Sequence, residues 1–193
     1  MRVTRAQAEE NRERVIETAG RLFREKGFDG VGLNDLMQAA GLTRGGFYGQ
    51  FESKLDLAVQ ALNRAQQYNL ERWRPLAEQP RQQALQNLIG GYLSRYHQQH
   101  PEDGCALAAL AVDTARQPEA LKEAFTDNLR TFLGFVAELC DGDDEEQREE
   151  RAMAVLSTLV GALVLSRATD DADLARGLRR AASAAALEAG TEN

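Results

Sequence analysis

An all-α chain of about nine helices is expected from three observations. Only four prolines interrupt 193 residues, with no repeat or low-complexity tract, which favours continuous helices with few long loops. Residues 33–54, LNDLMQAAGLTRGGFYGQFESK, read as two short helices joined by a Gly-containing turn and followed by a basic residue. Residues 152–166, AMAVLSTLVGALVLS, are apolar nearly all round, so a helix there must be covered on more than one side. With 43% hydrophobic and 27% charged residues, the chain can form one well-buried domain or a small domain fused to a larger one. The expected division is a helix-turn-helix unit over 1–52 and a larger helical unit over 53–193.

The first helix is expected from about residue 8 to 26, with Val15, Ala19, Leu22 and Phe23 on one face. Gly27 ends it, and Phe28 tucks under the small unit. Asn34 and Asp35 put cap-forming and acidic side chains at the start of a second helix, whose apolar positions are Leu33, Leu36, Met37 and Ala40. Gly41 stops it. Thr43 is the expected cap of the third, in which Phe47 and Phe51, four apart, turn inward against Leu36 and Leu42. Arg44, Gly45, Tyr48 and Gln50 are left outside. Adjacent glycines oppose so short a helix by roughly 1 kcal/mol each relative to Ala, so Gly45 and Gly46 serve something other than helix stability. Close approach to a DNA backbone or base edge is one such need.

Ser53 caps a fourth helix carrying Leu55, Leu57, Ala58, Ala61 and Leu62 toward Trp73 and Pro75. It is the expected lever between the units. A fifth follows Pro80 with Leu85, Leu88, Ile89, Tyr92, Leu93 and Tyr96 inward, until HPEDG at 100–104 breaks it. CALAALAVDTA makes a short sixth helix before Pro118, and LKEAFTDNLRTFLGFVAEL a seventh. The acidic run DGDDEEQREE at 141–150 lacks the ligand spacing of a calcium loop and reads as a solvated loop whose carboxylates favour the N-terminus of the following helix. The fifteen apolar residues 152–166 are too few to span a bilayer comfortably. They suit either the chain's own core or, because Ser157 and Gly161 permit close approach, a dimer face shared with the last helix, ADLARGLRRAASAAALEA. Candidate interface residues are Leu156, Leu159, Val160, Leu163, Leu178 and Ala182.

A net charge of −7 argues against nucleic acid until its distribution is read. Residues 1–54 hold nine Lys or Arg, Arg2 and Arg5 in the N-terminal arm among them, against eight acids, and the remainder fourteen against twenty-two. A near-neutral head on an acidic body suits local phosphate binding and discourages non-specific coating of DNA. Cys105 and Cys140 make no disulfide framework and suit a reducing cytoplasm, and MRVTRAQAEENRER has no apolar signal core. His97 and His100 lack neighbouring ligands for a metal and read as a partly exposed helix end. No nucleophile-base pair or phosphate-cradling glycine loop is present, so neither catalysis nor a cofactor is expected.

From RVIETAGRLFREKGFDGVGLNDLMQAAGLTRGGFYGQFESKLDL the sequence resembles the TetR/AcrR family of bacterial transcription regulators. The resemblance covers about a quarter of the chain strongly and departs at Gly32, where many members carry a Thr that touches phosphate. It implies a homodimeric repressor on a double-stranded, near-palindromic operator, released by a small molecule that changes the angle of the fourth helix. Arg44 and Gly45 would then contact bases, with Gly46 beside them among the DNA-binding residues, while Thr43, Tyr48, Gln50 and Lys54 hold the phosphate backbone. An effector cavity is expected among Trp73, Tyr92, Tyr96, Leu107, Phe125, Leu129 and Phe132, although aromatic residues at helical spacing also describe a plain core. Cys105 opens the sixth helix, where the helix dipole favours a thiolate; its Gly-Cys resembles the electrophile-sensing branch, while the plainer role is pocket lining. A DNA-organising protein without a ligand and a small helical enzyme are the alternatives.

Overall fold

The structure, a computed structural model, describes residues 4–191; Arg2 of the expected basic arm lies outside them. Among the described residues the elements are α1 (Arg5–Lys26), α2 (Leu33–Ala39), a 3-10 turn (Arg44–Gly46), α3 (Lys54–Trp73), a 3-10 turn (Arg74–Glu78), α4 (Arg81–Tyr92) and α5 (Arg95–Gln99), followed by a 3-10 turn (Pro101–Asp103), α6 (Ala106–Thr114), α7 (Glu119–Leu139), α8 (Glu145–Ala168) and α9 (Ala172–Gly190). The expected third helix is therefore only a turn, and the lever is α3.

Capping chemistry sets most boundaries. The Thr4 hydroxyl accepts from Gln7 N, and Arg24 and Lys26 sit in the last turn of α1, where cations suit the dipole. At Gly27 φ is +77°, and a Cβ there would lie 2.5 Å from the Asp113 carboxylate, so only glycine fits the turn. Ser53 accepts from Asp56 N at 3.0 Å while the Asp56 carboxylate accepts from Glu52 N at 3.0 Å, a reciprocal start to α3. α2 begins one residue earlier than its polar side chains suggest: extended Gly32 occupies the N-cap, without a side-chain hydrogen bond, and Asp35 falls in the first turn.

Two further segments depart from expectation. The fifth helix breaks at Leu93 because Ser94 turns extended and its hydroxyl accepts from His97 N at 3.1 Å, opening α5 afresh. The break turns Tyr96 outward, 53% exposed, and His97 inward, 7% exposed, reversing both assignments. The acidic run is not a loop beyond Asp144: this residue accepts from Gln147 N at 2.8 Å, and Glu145 and Glu146 form the first turn of α8, at the positive end of its dipole.

Side chains collect into two clusters. The head cluster joins Val15, Phe23, Leu36, Phe47 and Leu57 from α1 to α3, and includes Ala106, Leu110, Leu121 and Ala124 from α6 and α7. The body cluster joins Leu85, Leu88, Tyr92, Phe132 and Val136 to Leu159 and Ala186. By length and composition α8 could cross a membrane, yet Ala152, Val155, Leu156, Leu159 and Leu163 lie in the body core. Leu156, Leu159, Leu163 and Ala182, expected at an interface, are buried within their own chain. Val160 and Leu178 are half-buried. The solvent-facing side of α8 and α9 instead carries Met153, Leu165 and Leu174, each more than half exposed.

Candidate nucleic-acid interface and ligand clefts

The surface at residues 43–50 is a chain of tight hydrogen bonds. Gly46 N donates to Thr43 O at 3.0 Å, Phe47 N to Arg44 O at 3.1 Å and Gln50 N to Phe47 O at 2.9 Å. These i to i+3 bonds make a 3-10 turn, not the expected α-helix, because Gly45, Gly46 and Gly49 leave too little intrinsic preference to extend it. Two buried aromatics hold the turn in place. Phe47 stacks on Phe51 with centroids 5.3 Å apart, and the Arg12 guanidinium lies 5.3 Å over the Phe51 ring.

Around these anchors Thr43, Arg44, Gly45 and Gly46 are exposed, and Tyr48 is 65% exposed, edge-on to Phe47. A Cβ placed on Gly45 or Gly46 would meet nothing within 4 Å, so neither glycine is there to admit another part of the chain. Thr43 sits at the N-cap as expected but caps through no side-chain bond, which leaves its hydroxyl free of the turn. Gln50 is half-buried. Lys54 differs from a free surface cation: its Nζ donates to Phe28 O at 2.6 Å, leaving two of three ammonium protons for another acceptor.

Phe28 is also the joint between head and body, a role the sequence does not disclose. Its N–H donates to the Asp113 carboxylate at 2.7 Å, across 85 residues, while its carbonyl takes Lys54. Nearby, Arg21 pairs with Asp103, and Arg24 donates through Nε to Glu102 O at 2.9 Å and through Nη2 to the same oxygen. No local pattern marks Asp113, because its partner is fixed only by the packing of α6 on α1.

The expected effector residues fall into separate places. Phe125 and Leu129 line an apolar cleft of about 380 Å³ between α6, α7 and α8, with Leu107, Ala111, Met153 and Val160. Tyr96 lines a second, polar cleft of about 410 Å³ between α1 and α3. Tyr92, Phe132 and Cys105 line neither: all three are solid core, at most 1% exposed. Trp73 packs on Gly91, its indole N–H donating to Asn69 Oδ1 at 3.0 Å.

Cys105 is at the N-cap of α6, and its N–H donates to His97 Nε2 at 2.9 Å. His97 Nδ1 meets Tyr92 O at 2.7 Å, so the neutral ring bridges two backbone groups, and burial holds its pKa down at about 4. Burial likewise raises the Tyr92 phenol well above its usual range and the Cys140 thiol to about 11. Among the described residues one cluster, His100, Glu102 and Asp103, brings three possible metal-ligating atoms within 4.8 Å. Its groups are already engaged: His100 with Glu102 at 3.1 Å, and Asp103 with Arg21 and Tyr96.

Residues 15–61 match the family described as bacterial regulatory proteins, tetR family, and residues 82–184 match the C-terminal domain of LmrA/YxaF-like transcriptional regulators. The HTH-type transcriptional regulator LmrA of Bacillus subtilis is 25% identical over 162 residues, 81% of this chain and 86% of its own. The repressor BepR of Brucella suis is 40% identical over 65 residues, 34% of this chain and 31% of its own. The reduced form of Escherichia coli NemR superposes with a TM-score of 0.79 at 19% identity, covering 93% of this chain and 95% of that one. The LmrA/YxaF-like match alone spans more than half of the sequence, and with the turn at 43–50 mounted on an all-helical body it makes this chain a DNA-binding transcriptional regulator of the TetR family.

Proposed function

We propose that the protein is a homodimeric repressor acting in the cytoplasm, which holds a near-palindromic operator until a small apolar molecule enters the cleft between α6, α7 and α8. The observation that carries the DNA half is the exposed backbone from Thr43 to Gly46, open to solvent on a turn pinned from beneath by Phe47 and Phe51. Arg44 is its one long cation, suited to the major-groove edge of guanine; Thr43, Tyr48 and Gln50 supply polar groups for phosphate. Lys54 adds its remaining ammonium donors. One such turn per subunit reads one half-site, so operator symmetry follows from the two-fold of the dimer.

The dimer reading rests on the outward sides of α8 and α9, where Leu165 and Leu174 stand among small residues such as Gly161, Ala181 and Ala185. Pairing those sides in two copies gives a four-helix interface.

The release route runs along α6. Leu107 and Ala111 line the apolar cleft, Ala106 and Leu110 pack in the head cluster, and Asp113 holds the Phe28 N–H. A molecule that wedges the cleft displaces one short helix touching both cores, and the head moves with it. Regulation requires that such a ligand favour one head position over the other. The burial of Cys105 favours non-covalent release; an electrophile would need α6 to open first.

The experiment is fluorescence anisotropy on DNA flanking the gene, with random DNA as competitor. Wild type should prefer the flanking DNA, and Arg44→Ala should lose about 1 to 3 kcal/mol and relax one base position per half-site. Equal affinity for random DNA would point to a DNA-organising role instead.

A further inference from the structure

The polar cleft between α1 and α3 has a composition that the release route above does not use. Its floor is small, with Gly20, Ala61 and Ala65 beside Ile16, and the turn Pro101–Asp103 closes one end through Asp103. Its walls carry Arg21, Arg24, Arg64 and Arg72 against two carboxylates, Glu17 and Asp103, a cationic excess inside a chain of net charge −7.

The two carboxylates are already matched. Asp103 pairs with Arg21, and Glu17 lies 3.7 Å from Arg64. Arg24 donates to a carbonyl, Glu102 O, and feels Asp103 only as a nearby charge that Arg21 already pairs, while Arg72 lies 5.2 Å over the Trp73 ring. Arg24 is the more costly of the two, since burial lowers its pKa and its Nη1 lies over the cleft floor at Gly20. An anion entering the cleft would meet the partly desolvated Arg24 guanidinium and the exposed Arg72 guanidinium, and such donors bind carboxylates strongly.

The mouth adds a preference for shape. Tyr68 and Tyr96 both line the cleft and are 63% and 53% exposed; Tyr96 stacks one face on His100 at 4.4 Å and donates its hydroxyl to Asp103 at 3.2 Å, which fixes its ring beside the cleft. Polar rims with a few convergent charges over a small-residue floor, in about 410 Å³, fit a compact ligand better than a chain. We propose that this cleft is a second ligand site that binds small planar aromatic carboxylates, with the carboxylate drawn to Arg24 and Arg72 and the ring against Tyr68 and Tyr96 above the floor of Gly20, Ala61 and Ala65.

The site is distinct from the apolar cleft, with which it shares no lining residue. Its occupant touches α1 and α3 directly and needs no relay through α6.

Isothermal titration of the full chain with 2-naphthoate, and with 2-naphthamide as its uncharged counterpart, tests this. The carboxylate should bind and the amide should bind about ten-fold more weakly. Arg72→Gln and Arg24→Gln should each weaken naphthoate about ten-fold and leave the amide unchanged. Ser157→Phe, which fills the apolar cleft, should leave naphthoate binding as it is. Arg72 is exposed and rests on the Trp73 ring, so Arg72→Gln decides the matter even if loss of the Arg24 contacts unfolds the chain. Equal binding of amide and carboxylate, an unchanged affinity in Arg72→Gln, absence of heat up to about 1 mM ligand, or loss of binding in Ser157→Phe would each overturn the assignment. None of these results bears on whether operator DNA is bound or whether the apolar cleft takes its own ligand.

Discussion

Head and body differ in how each spends its most regular structure. In the head, α1 and α3 are long and ordinary, and the surface proposed to meet DNA is a three-residue 3-10 turn between them. The body reverses this, since its longest helix, α8, turns its most apolar side into its own core. Glycine lets backbone come close to a neighbouring surface, and a packed core is where an apolar cleft can open. The division expected at residue 52 does not separate the cores, because Ala106, Leu110, Leu121 and Ala124 complete the head cluster from beyond it.

The strongest test of that comparison sets two leucines of α8 against each other. Leu159 is fully buried, so Leu159→Asp should cost at least about 3 to 5 kcal/mol and unfold the body rather than merely separate subunits. Leu165 is 56% exposed, and Leu165→Asp should leave the fold intact while shifting sedimentation from dimer to monomer and weakening operator binding. If Leu165→Asp stayed dimeric, the outward sides of α8 and α9 would not be the interface.

A smaller effect is expected from pH, and it belongs to the body alone. His97 bridges Tyr92 O and Cys105 N only when neutral, and its folded pKa of about 4 lies below the unfolded value of 6.5. The unfolded chain therefore binds the extra proton first. The contribution is complete above pH 6.5, declines as pH falls toward about 4, and amounts to roughly 3 kcal/mol in order of magnitude. Urea melts of wild type and His97→Gln should converge across that window, since other titrating groups cancel in the difference. Parallel curves would show that the ring is not held neutral.

How much of this was legible in the sequence follows the range of the interactions. Ser53, Gly27 and Gly41 punctuate the chain locally, and the four-residue spacing of Phe47 and Phe51 shows which side of the turn is anchored. The same reasoning placed Leu159 at an interface, because an apolar helix announces that it is covered but not by what. The Ser94 break was missed because the run from Leu85 to Tyr96 keeps its helical period across it, and a hydroxyl cap outweighed that period. Asp113 and Arg24 were illegible, since their partners lie 85 and 78 residues away and have no sequence signature. The sequence does not separate Phe125, which lines the apolar cleft, from Tyr92, which is core: both stand at helical aromatic spacing, and only packing decides which one faces open space.

Lys54 tests whether head and joint are separable. Its Nζ holds Phe28 O, and its remaining donors are assigned to phosphate. Lys54→Ala should lower stability by about 1 kcal/mol and reduce the salt dependence of DNA binding by about one unit of slope on specific and random DNA alike. A stability loss without a change of slope would confine Lys54 to the joint and remove it from the DNA contacts.

The smallest expected effect asks most directly why the head keeps an irregular turn. Gly45 has open space where a Cβ would go, and its φ lies outside the left-handed region, so Gly45→Ala meets neither a clash nor backbone strain. Restricting the unfolded chain should then raise head stability by about 0.4 to 1 kcal/mol, read from a thermal melt. The same methyl group would stand between the turn and a groove, and operator affinity should fall even as the melting temperature rises. Opposite signs from one substitution are what close backbone approach requires. If stability and affinity rose together, Gly45 would be a tolerated defect of the turn, and recognition would rest on side chains alone.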